Sequence, residues 1–98
     1  MTREKVLDII KTYSRNLDAI GYTAKRSLTK NDVQCNLDLR HVNWMCEDIL
    51  GKQEEFETEK LMRWLGFIQG VLYVWRIYSI DEMRQHNMPE GAKFKERE

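Results

Sequence analysis

The 98-residue chain has little proline, few glycines and no excess of charge of either sign. One proline and five glycines exclude collagen-like and proline-rich classes. Because 16 Lys and Arg residues balance 16 Asp and Glu residues, no general electrostatic attraction draws the protein to DNA, RNA or an anionic membrane. We therefore expect no membrane partner and no nucleic-acid partner. A hydrophobic content of 42% in a chain of this length indicates one folded, soluble domain.

The chain also lacks a typical signal peptide and a convincing membrane span. Its most apolar stretch, Leu61 to Tyr78, approaches membrane-spanning length but contains Arg63, Gln69 and Arg76. An arginine in the middle of a bilayer costs about 2.5–3.5 kcal/mol even on the most lenient scale. A buried helix of a soluble protein is the better interpretation of this stretch.

Only two cysteines occur, Cys35 and Cys46, and both fall on the apolar face of one predicted helix. Eleven residues of helix separate their Cα atoms by about 16 Å, which is too far for a disulfide within that helix. Free, buried thiols are typical of a reducing compartment, so we expect the protein in the cytoplasm.

Hydrophobic periodicity predicts an all-α fold, a small bundle of three main helices followed by a short C-terminal helix. The predicted helices run from Arg3 to Ile20, Asp32 to Leu50, Thr58 to Ile77 and Ile80 to His86. Residues 1–88 would form a single helical domain, and residues 89–98, of mixed charge, a flexible tail.

Capping residues support these boundaries. Thr2 is a suitable N-cap for the first helix, and Gly21 stands where a helix commonly ends. Ser79 followed by Glu82 matches a capping box, which predicts that the fourth helix begins directly after Ser79.

The third helix is apolar on nearly every side, so we expect it to be buried on nearly every side. Trp64 and Trp75 fall on its main stripe and are predicted to be core residues. Gly66 and Gly70 lie one turn apart, and each costs about 1 kcal/mol relative to Ala in a helix. Close packing of another helix within the monomer would recover that cost. The alternatives are a contact between copies and a ligand pocket floored by glycine.

The second helix carries an apolar stripe that three packed helices would leave uncovered. An apolar anchor with a polar rim is the anatomy of a protein-binding hot spot. The predicted partner-binding residues are Val33, Leu37, Arg40, Trp44 and Glu47. The fourth helix, the segment from Gly21 to Lys30, a second copy of the chain or a foreign protein could cover this stripe, and a homodimer is the commonest arrangement among soluble oligomers.

The sequence offers few residues that could form a metal or catalytic site. No cluster of Cys, His and carboxylate residues has the spacing of a metal site. Neither cysteine has a base with an orienting group at helical spacing, and the hydroxyl residues cluster at caps and loops. We expect no metal, no cofactor and no enzymatic activity. Tyr22, Lys25 and Arg26 form a small basic and aromatic patch, which together with Gly66 and Gly70 could frame a nucleotide-binding pocket in an oligomer.

Three segments resemble small uncharacterised proteins encoded by tailed phages and prophages. They are HVNWMC at 41–46, RWLGFIQGVL at 63–72 and SIDEMR at 79–84. The resemblance covers about half of the chain, from His41 onward, and RWLGFIQG is its most specific part. The resemblance implies that the protein is the product of an accessory phage gene, and many such products bind a host or defence component. The resembled proteins have no assigned chemistry that could be transferred to residues of this chain.

The leading hypothesis is therefore a non-enzymatic phage or prophage protein that binds a host or defence protein and modulates its activity. The alternative is an oligomeric helical protein that sequesters a small nucleotide-like ligand.

Overall fold

The computed structural model describes residues 1–27 and 37–88, without the side chain of Leu37. These residues form four α-helices and a short 3-10 turn at Gln53–Glu55, and they contain no strand. The helices are α1 (Arg3–Ala19), α2 (Leu37–Gly51), α3 (Thr58–Val74) and α4 (Ile80–Asn87). The prediction of an all-α bundle is confirmed. The predicted start of the second helix at Asp32, Cys35 and the predicted tail at 89–98 lie outside the described residues.

Helix α1 begins and ends as its capping residues predict. The Thr2 hydroxyl accepts a hydrogen bond from the Lys5 amide at 3.1 Å. At the other end Gly21 has a φ of +95°, and the Tyr22 amide donates to the Leu17 carbonyl at 2.8 Å. This left-handed turn is the Schellman motif, which favours glycine because a Cβ atom would be strained there.

Helix α3 ends with the same motif, three residues earlier than predicted. Here Arg76 takes the left-handed position, with a φ of +58°. The Ile77 amide donates to the Leu72 carbonyl at 2.9 Å, and the Arg76 amide donates to the Tyr73 carbonyl at 2.9 Å. The turn ends the helix before Ile77, and the sequence has no glycine or proline there that would predict it.

Helix α4 begins with the predicted capping box. The Ser79 hydroxyl accepts from the Glu82 amide at 3.1 Å, and the Glu82 carboxylate accepts from the Ser79 amide at 2.9 Å. These two hydrogen bonds satisfy backbone amides at the start of the helix that have no acceptor within the helix.

Contacts between helix ends establish the topology. The Arg3 guanidinium donates to the carbonyls of Gln53 and Phe56, so α1 and α3 start at the same end of the bundle. The Trp75 indole N–H donates to the Asp38 carboxylate at 3.2 Å, which places the start of α2 beside the end of α3. Helices α1 and α3 therefore run in one direction and α2 in the other.

The core lies among α1, α2 and α3, and one aromatic prediction fails there. Trp64 packs against the core and meets the buried Phe56 edge-on, with ring centroids 4.8 Å apart. Trp75, predicted to be a core residue, is 39% exposed. It is the C-cap of α3, and its indole N–H is used in an exposed hydrogen bond to Asp38. Among the described helices, none combines the length and apolarity needed to cross a bilayer.

Candidate protein-binding surface

The outward side of α3 exposes large apolar side chains. Phe67 is 55% exposed and Val74 is 71% exposed, while Met62 and Trp75 are exposed to 37% and 39%. Met62, Gly66, Gly70 and Val74 follow each other at intervals of four residues, so they form one row along the helix. We call this surface the α3 face; it consists of Met62, Gly66, Phe67, Gly70, Val74 and Trp75.

The carboxyl-terminal half of the α3 face is concave. An open hollow of about 360 Å³ is lined by Phe67, Gly70, Val71, Val74 and Trp75. Gly70 is exposed between larger side chains, so it lowers the surface between them. The hollow is wide enough to receive an apolar side chain of another protein.

The prediction that Gly66 and Gly70 pack closely within the monomer is wrong. A Cβ atom added at either glycine would meet nothing within 4 Å. Both residues are exposed because the other helices pack on the opposite side of α3, where Leu61, Leu65 and Ile68 are buried. The expectation that α3 is buried nearly all round fails for the same reason. The two alternatives, a contact between copies and a ligand pocket, remain predictions.

The α3 face carries no charge over most of its length. Residues 64–75 include no Asp, Glu, Lys or Arg. The exposed Arg63 lies between Met62 and Gly66, and the exposed residues Glu59 and Arg76 lie beyond the two ends of the face. An exposed helix face in water normally carries charged side chains. An apolar centre depleted of charge and bordered by charged residues is typical of a protein interface.

The surface predicted on α2 is partly covered by the chain itself. Val33 and the side chain of Leu37 lie outside the described residues. Arg40 is half-buried; its Nε donates to the Thr23 carbonyl at 3.0 Å, and its own carbonyl accepts from the Lys25 amide at 3.1 Å. The segment 22–27 thus crosses α2, which is one of the coverings that the sequence left open.

Trp44 is half-buried under this segment. Its ring stacks on His41 with centroids 5.5 Å apart, and the Arg26 guanidinium lies 4.7 Å from the ring centroid. The Ser27 amide donates to His41 Nδ1 at 3.0 Å. Glu47 alone of the described side chains in the predicted set is exposed. A binding role for this surface stays a prediction, with less free apolar area than the sequence suggested.

A single subunit does not bring the predicted ligand-binding residues together at the hollow over Gly70. Tyr22, Lys25 and Arg26 belong to the segment that crosses α2, and none of them lines that hollow. Arg26 packs on Trp44, so its charge is already engaged within the chain. A pocket formed between copies stays a prediction.

A buried amide connects α2 to the same segment. Asn43 is fully buried; its Oδ1 accepts from the Ser14 hydroxyl at 2.7 Å, and its Nδ2 donates to Asp18 Oδ1 at 2.7 Å and to the Tyr22 carbonyl at 2.8 Å. The sequence analysis missed Asn43. The sequence did contain a signal for a buried polar residue at this position. Asn43 stands between Val42 and Trp44 on a helix that is apolar on both sides.

A second polar cluster lies between α1, α3 and α4. The Tyr13 hydroxyl is 2.7 Å from His86 Nδ1 and accepts from Gln69 Nε2 at 3.0 Å, and Gln69 also donates to Asn87 at 2.8 Å. Burial raises the pKa of Tyr13 to about 12. Burial also lowers the pKa of His86, and nearby Lys5 lowers it further against the opposing effect of Glu82.

The chemistry available to this cluster is limited. A cavity of about 160 Å³ lies beside it, lined by Lys5, Asp8, Ile9, Thr12, Tyr13 and His86. A hydroxyl with a pKa of about 12 that is already hydrogen-bonded is a poor acid or base near neutral pH. The arrangement therefore favours a role in holding α4 against α1.

The described residues offer little basis for a metal site or a reactive cysteine. In residues 1–27 and 37–88, no three His, Cys, Asp or Glu side chains are grouped as a metal ion would require. Cys46 is buried, and burial together with the nearby charge of Glu47 raises its thiol pKa to about 12. The thiolate, which is the reactive form, is therefore rare.

The sequence matches no protein-family model, no curated protein and no solved structure. Function therefore has to be inferred from the geometry of the described residues.

Proposed function

We propose that this protein is a non-enzymatic binding protein that docks on another protein through its α3 face. The resemblance to phage and prophage proteins suggests the setting, in which the protein binds a host or defence protein in the host cytoplasm and modulates its activity. The observation that carries the proposal is a surface of exposed apolar side chains on a regular helix whose opposite side is embedded in the core; Arg63 is the one charged residue between Met62 and Trp75.

The energetic argument rests on the area that binding would bury. Fully burying a large apolar side chain contributes about 1.5–3 kcal/mol. Phe67, Val74 and Trp75 are adjacent on one surface, so a single partner can cover all three. Because they belong to or directly cap a helix, little conformational entropy is lost when the partner binds.

The shape of the α3 face indicates what it can receive. Gly66 and Gly70 present no side chain, so a partner backbone or a bulky apolar side chain can approach closely. An amphipathic helix that presents apolar residues in one row fits such a surface. Glu59 and Arg76 at the two ends, and Arg63 between Met62 and Gly66, can pair with charges beside the apolar row of the partner.

The test compares two substitutions of exposed apolar residues. Val74→Arg places a charge in the concave carboxyl-terminal half of the α3 face without disturbing the core, because Val74 is 71% exposed. Ile20→Arg is the matched control, since Ile20 is 55% exposed at the end of α1. Both variants should retain the helical circular dichroism spectrum and the urea midpoint of the wild type.

A bacterial lysate is first searched for proteins that bind the wild type and Ile20→Arg but not Val74→Arg. Each such protein is identified, purified and titrated against the wild type and the two variants. We expect Val74→Arg to weaken binding of the purified partner at least about tenfold, a loss of about 1.4 kcal/mol. Equal affinity of Val74→Arg and wild type would show that the α3 face is not the docking surface. Loss of binding on Trp44→Ala instead would assign docking to the α2 surface.

A further inference from the structure

We infer that α4 is a pH-sensitive latch, which detaches from α1 and α3 and unfolds locally in mildly acidic solution while the three longer helices stay folded. The hinge is Ser79, and the trigger is protonation of His86. The inference goes beyond the proposed function, because it concerns the side of the bundle that α4 covers and not the α3 face.

The hydrophobic core is complete without α4. Among the described residues, the members of the continuous core cluster belong to α1, α2, α3 and the turn before α3, where Phe56 lies. Met83 is the buried residue of α4, and it stands outside this cluster. Its neighbours Glu82 and Arg84 are exposed, and Ile80 is 45% exposed. Detachment of α4 therefore breaks none of the contacts within the core cluster.

The segment before Ser79 is anchored independently of α4. The Tyr78 ring packs on Tyr13 with centroids 5.1 Å apart, and the Tyr78 hydroxyl accepts from Asn16 Nδ2 at 2.7 Å. Ile77 and Tyr78 both pack against the core. Ser79 is exposed, and its backbone is extended, with φ −79° and ψ 165°. A rotation at Ser79 can thus move α4 without disturbing α3.

Polar contacts hold the far end of α4. His86 Nδ1 lies 2.7 Å from the Tyr13 hydroxyl, and Asn87 exchanges two hydrogen bonds with Gln69, at 2.8 and 3.1 Å. Gln69 Nε2 also donates to the Tyr13 oxygen at 3.0 Å. With that donor in place, the proton of the Tyr13 hydroxyl is directed to His86 Nδ1. His86 is therefore the acceptor for a hydroxyl of a buried tyrosine.

Protonation of His86 removes this acceptor. An imidazolium ion carries a proton on both ring nitrogens, so the Tyr13 hydroxyl would face a donor and lose its partner in a buried site. A buried polar group without a partner is unfavourable, and detachment of α4 lets water solvate both groups. Among the side chains of this network, only histidine has an ordinary pKa near neutral pH.

The charges around His86 come from α1 and α4 and oppose one another. Lys5 on α1 disfavours the imidazolium ion, and Glu82 on α4 favours it. Asp8 on α1 lines the same cavity as His86. The uncharged side chains of the network are Tyr13 on α1, Gln69 on α3 and Tyr78 in the connection to α4. Burial is the largest influence and lowers the pKa of His86, so the attached form of α4 takes up a proton less readily than the detached form.

The direction of the pH effect follows from the lowered pKa. Attachment of α4 is fully favoured above the ordinary histidine pKa of 6.5, and it weakens as the pH falls through the lower pKa of the attached form. Because one proton is taken up, the ratio of detached to attached molecules rises by at most about tenfold per pH unit. An isolated helix of eight residues is marginal in water, so detachment exposes its amides to exchange.

The test is amide hydrogen exchange of the full-length protein, measured residue by residue by NMR at about pH 7 and about pH 5.5. Each rate is compared with the intrinsic rate of an unstructured chain, because intrinsic exchange itself slows in acid. Low concentrations of urea separate local opening from global unfolding, which exposes far more surface. We expect the protection of residues 84–87 to be insensitive to low urea and to fall about three- to tenfold in acid. The amides of α1 should respond to urea.

Three variants assign the effect to His86. His86→Gln offers an acceptor oxygen that does not titrate, so α4 should stay protected near pH 7 and the loss of protection in acid should disappear. Asn87→Ala removes the hydrogen bonds to Gln69, so protection of α4 should fall at both pH values by the same factor. His41→Gln is the matched control; this histidine lies on α2, and its replacement should leave the exchange of α4 unchanged.

Two results would overturn the inference. If the amides of α4 follow urea as steeply as those of α1, then α4 opens only when the whole molecule unfolds. If His86→Gln loses as much protection in acid as the wild type, then another group is the trigger. Either result leaves the proposed docking function standing, because the comparison of Val74→Arg with Ile20→Arg does not involve α4.

Discussion

Asn43 shows how one buried amide can organise a surface loop. Its side chain satisfies groups from α1 and from the segment that follows α1, the Ser14 hydroxyl and the Tyr22 carbonyl among them. A buried polar group left without a partner costs about 1–3 kcal/mol. Asn43 therefore holds the segment 22–27 against α2, and this segment covers part of Trp44.

We predict that Asn43→Ala lowers the free energy of unfolding by about 2–3 kcal/mol, because Ser14 and Tyr22 lose their buried partner. Urea denaturation followed by circular dichroism measures the change. Asn16→Ala is the control: this exposed amide donates to the Tyr78 hydroxyl at 2.7 Å, and its removal should cost less than about 1 kcal/mol. Equal losses in the two variants would contradict the role assigned to Asn43.

At the scale of single residues, the sequence predicts burial less well than it predicts helices. Trp75 shares a stripe with core residues, yet it is the C-cap that follows the last turn of α3 and is 39% exposed. Gly66 and Gly70 suggested close packing inside the monomer, but periodicity does not tell which side of an apolar helix receives a neighbour. The sequence left open whether the chain itself covers Trp44, and the structure shows that Arg26 and His41 cover it in part.

Helix α4 depends on its cap more than the longer helices do. It spans only Ile80–Asn87, and Met83 is its buried residue. Helices this short are marginal without tertiary contacts and capping. The capping box at Ser79 and Glu82, the contact of His86 with Tyr13 and the hydrogen bonds between Asn87 and Gln69 are among the interactions that keep it in place.

We predict that Ser79→Ala opens α4 locally, at a cost of about 0.5–2 kcal/mol for the lost cap. If the lost cap costs about 1–2 kcal/mol, amide hydrogen exchange in α4 should become roughly 5–30 times faster. Exchange in α1 should change little. Thr12→Ala, which removes an exposed hydroxyl from the middle of α1, should leave both helices unchanged. Unchanged exchange in α4 of Ser79→Ala would show that packing alone holds the helix.

The ends of helices could be predicted from the sequence where a capping residue marks them. Thr2, Gly21 and the Ser79–Glu82 box gave the ends of α1 and the start of α4, because capping chemistry acts over three or four residues. The end of α3 was missed by three residues, since Arg76 adopts a conformation that arginine rarely takes. The α3 face could be recognised only after the packing was known, because its residues have the same apolar pattern as the core.

Two histidines couple the stability of the whole molecule to pH. The pKa of His41 is lowered, first by burial and then by the charge of Arg26, although Asp38 opposes the shift. The pKa of His86 is lowered, first by burial and then by Lys5, although Glu82 opposes the shift. His41 Nδ1 accepts a hydrogen bond from the Ser27 amide and must therefore be unprotonated, and His86 Nδ1 lies within hydrogen-bond distance of the Tyr13 hydroxyl.

The sign of the pH effect follows from these lowered values. Below the ordinary pKa of 6.5 the unfolded chain binds protons that the folded chain binds less readily. Stability is therefore fully present above pH 6.5 and is lost as the pH falls through the lower folded-state values. We predict that the urea midpoint declines between about pH 7 and pH 5.

The variant His41→Gln/His86→Gln provides the control for this prediction. Glutamine offers an acceptor oxygen but does not titrate, so the decline of the urea midpoint between about pH 7 and pH 5 should flatten. The Glu82 carboxylate, whose pKa is lowered chiefly by the Ser79 amide, contributes stability above its ordinary pKa of 4.5, outside this window. An unchanged pH dependence in the double variant would rule out the histidines as its source.

Arg3 connects the start of the chain to a turn that is synthesised much later. Its guanidinium binds the carbonyls of Gln53 and Phe56, which lie 50 and 53 positions further along the chain. At about 5–20 residues per second, a ribosome makes those acceptors roughly 3–10 s after the arginine. These two hydrogen bonds can therefore form only after more than half of the chain has been synthesised.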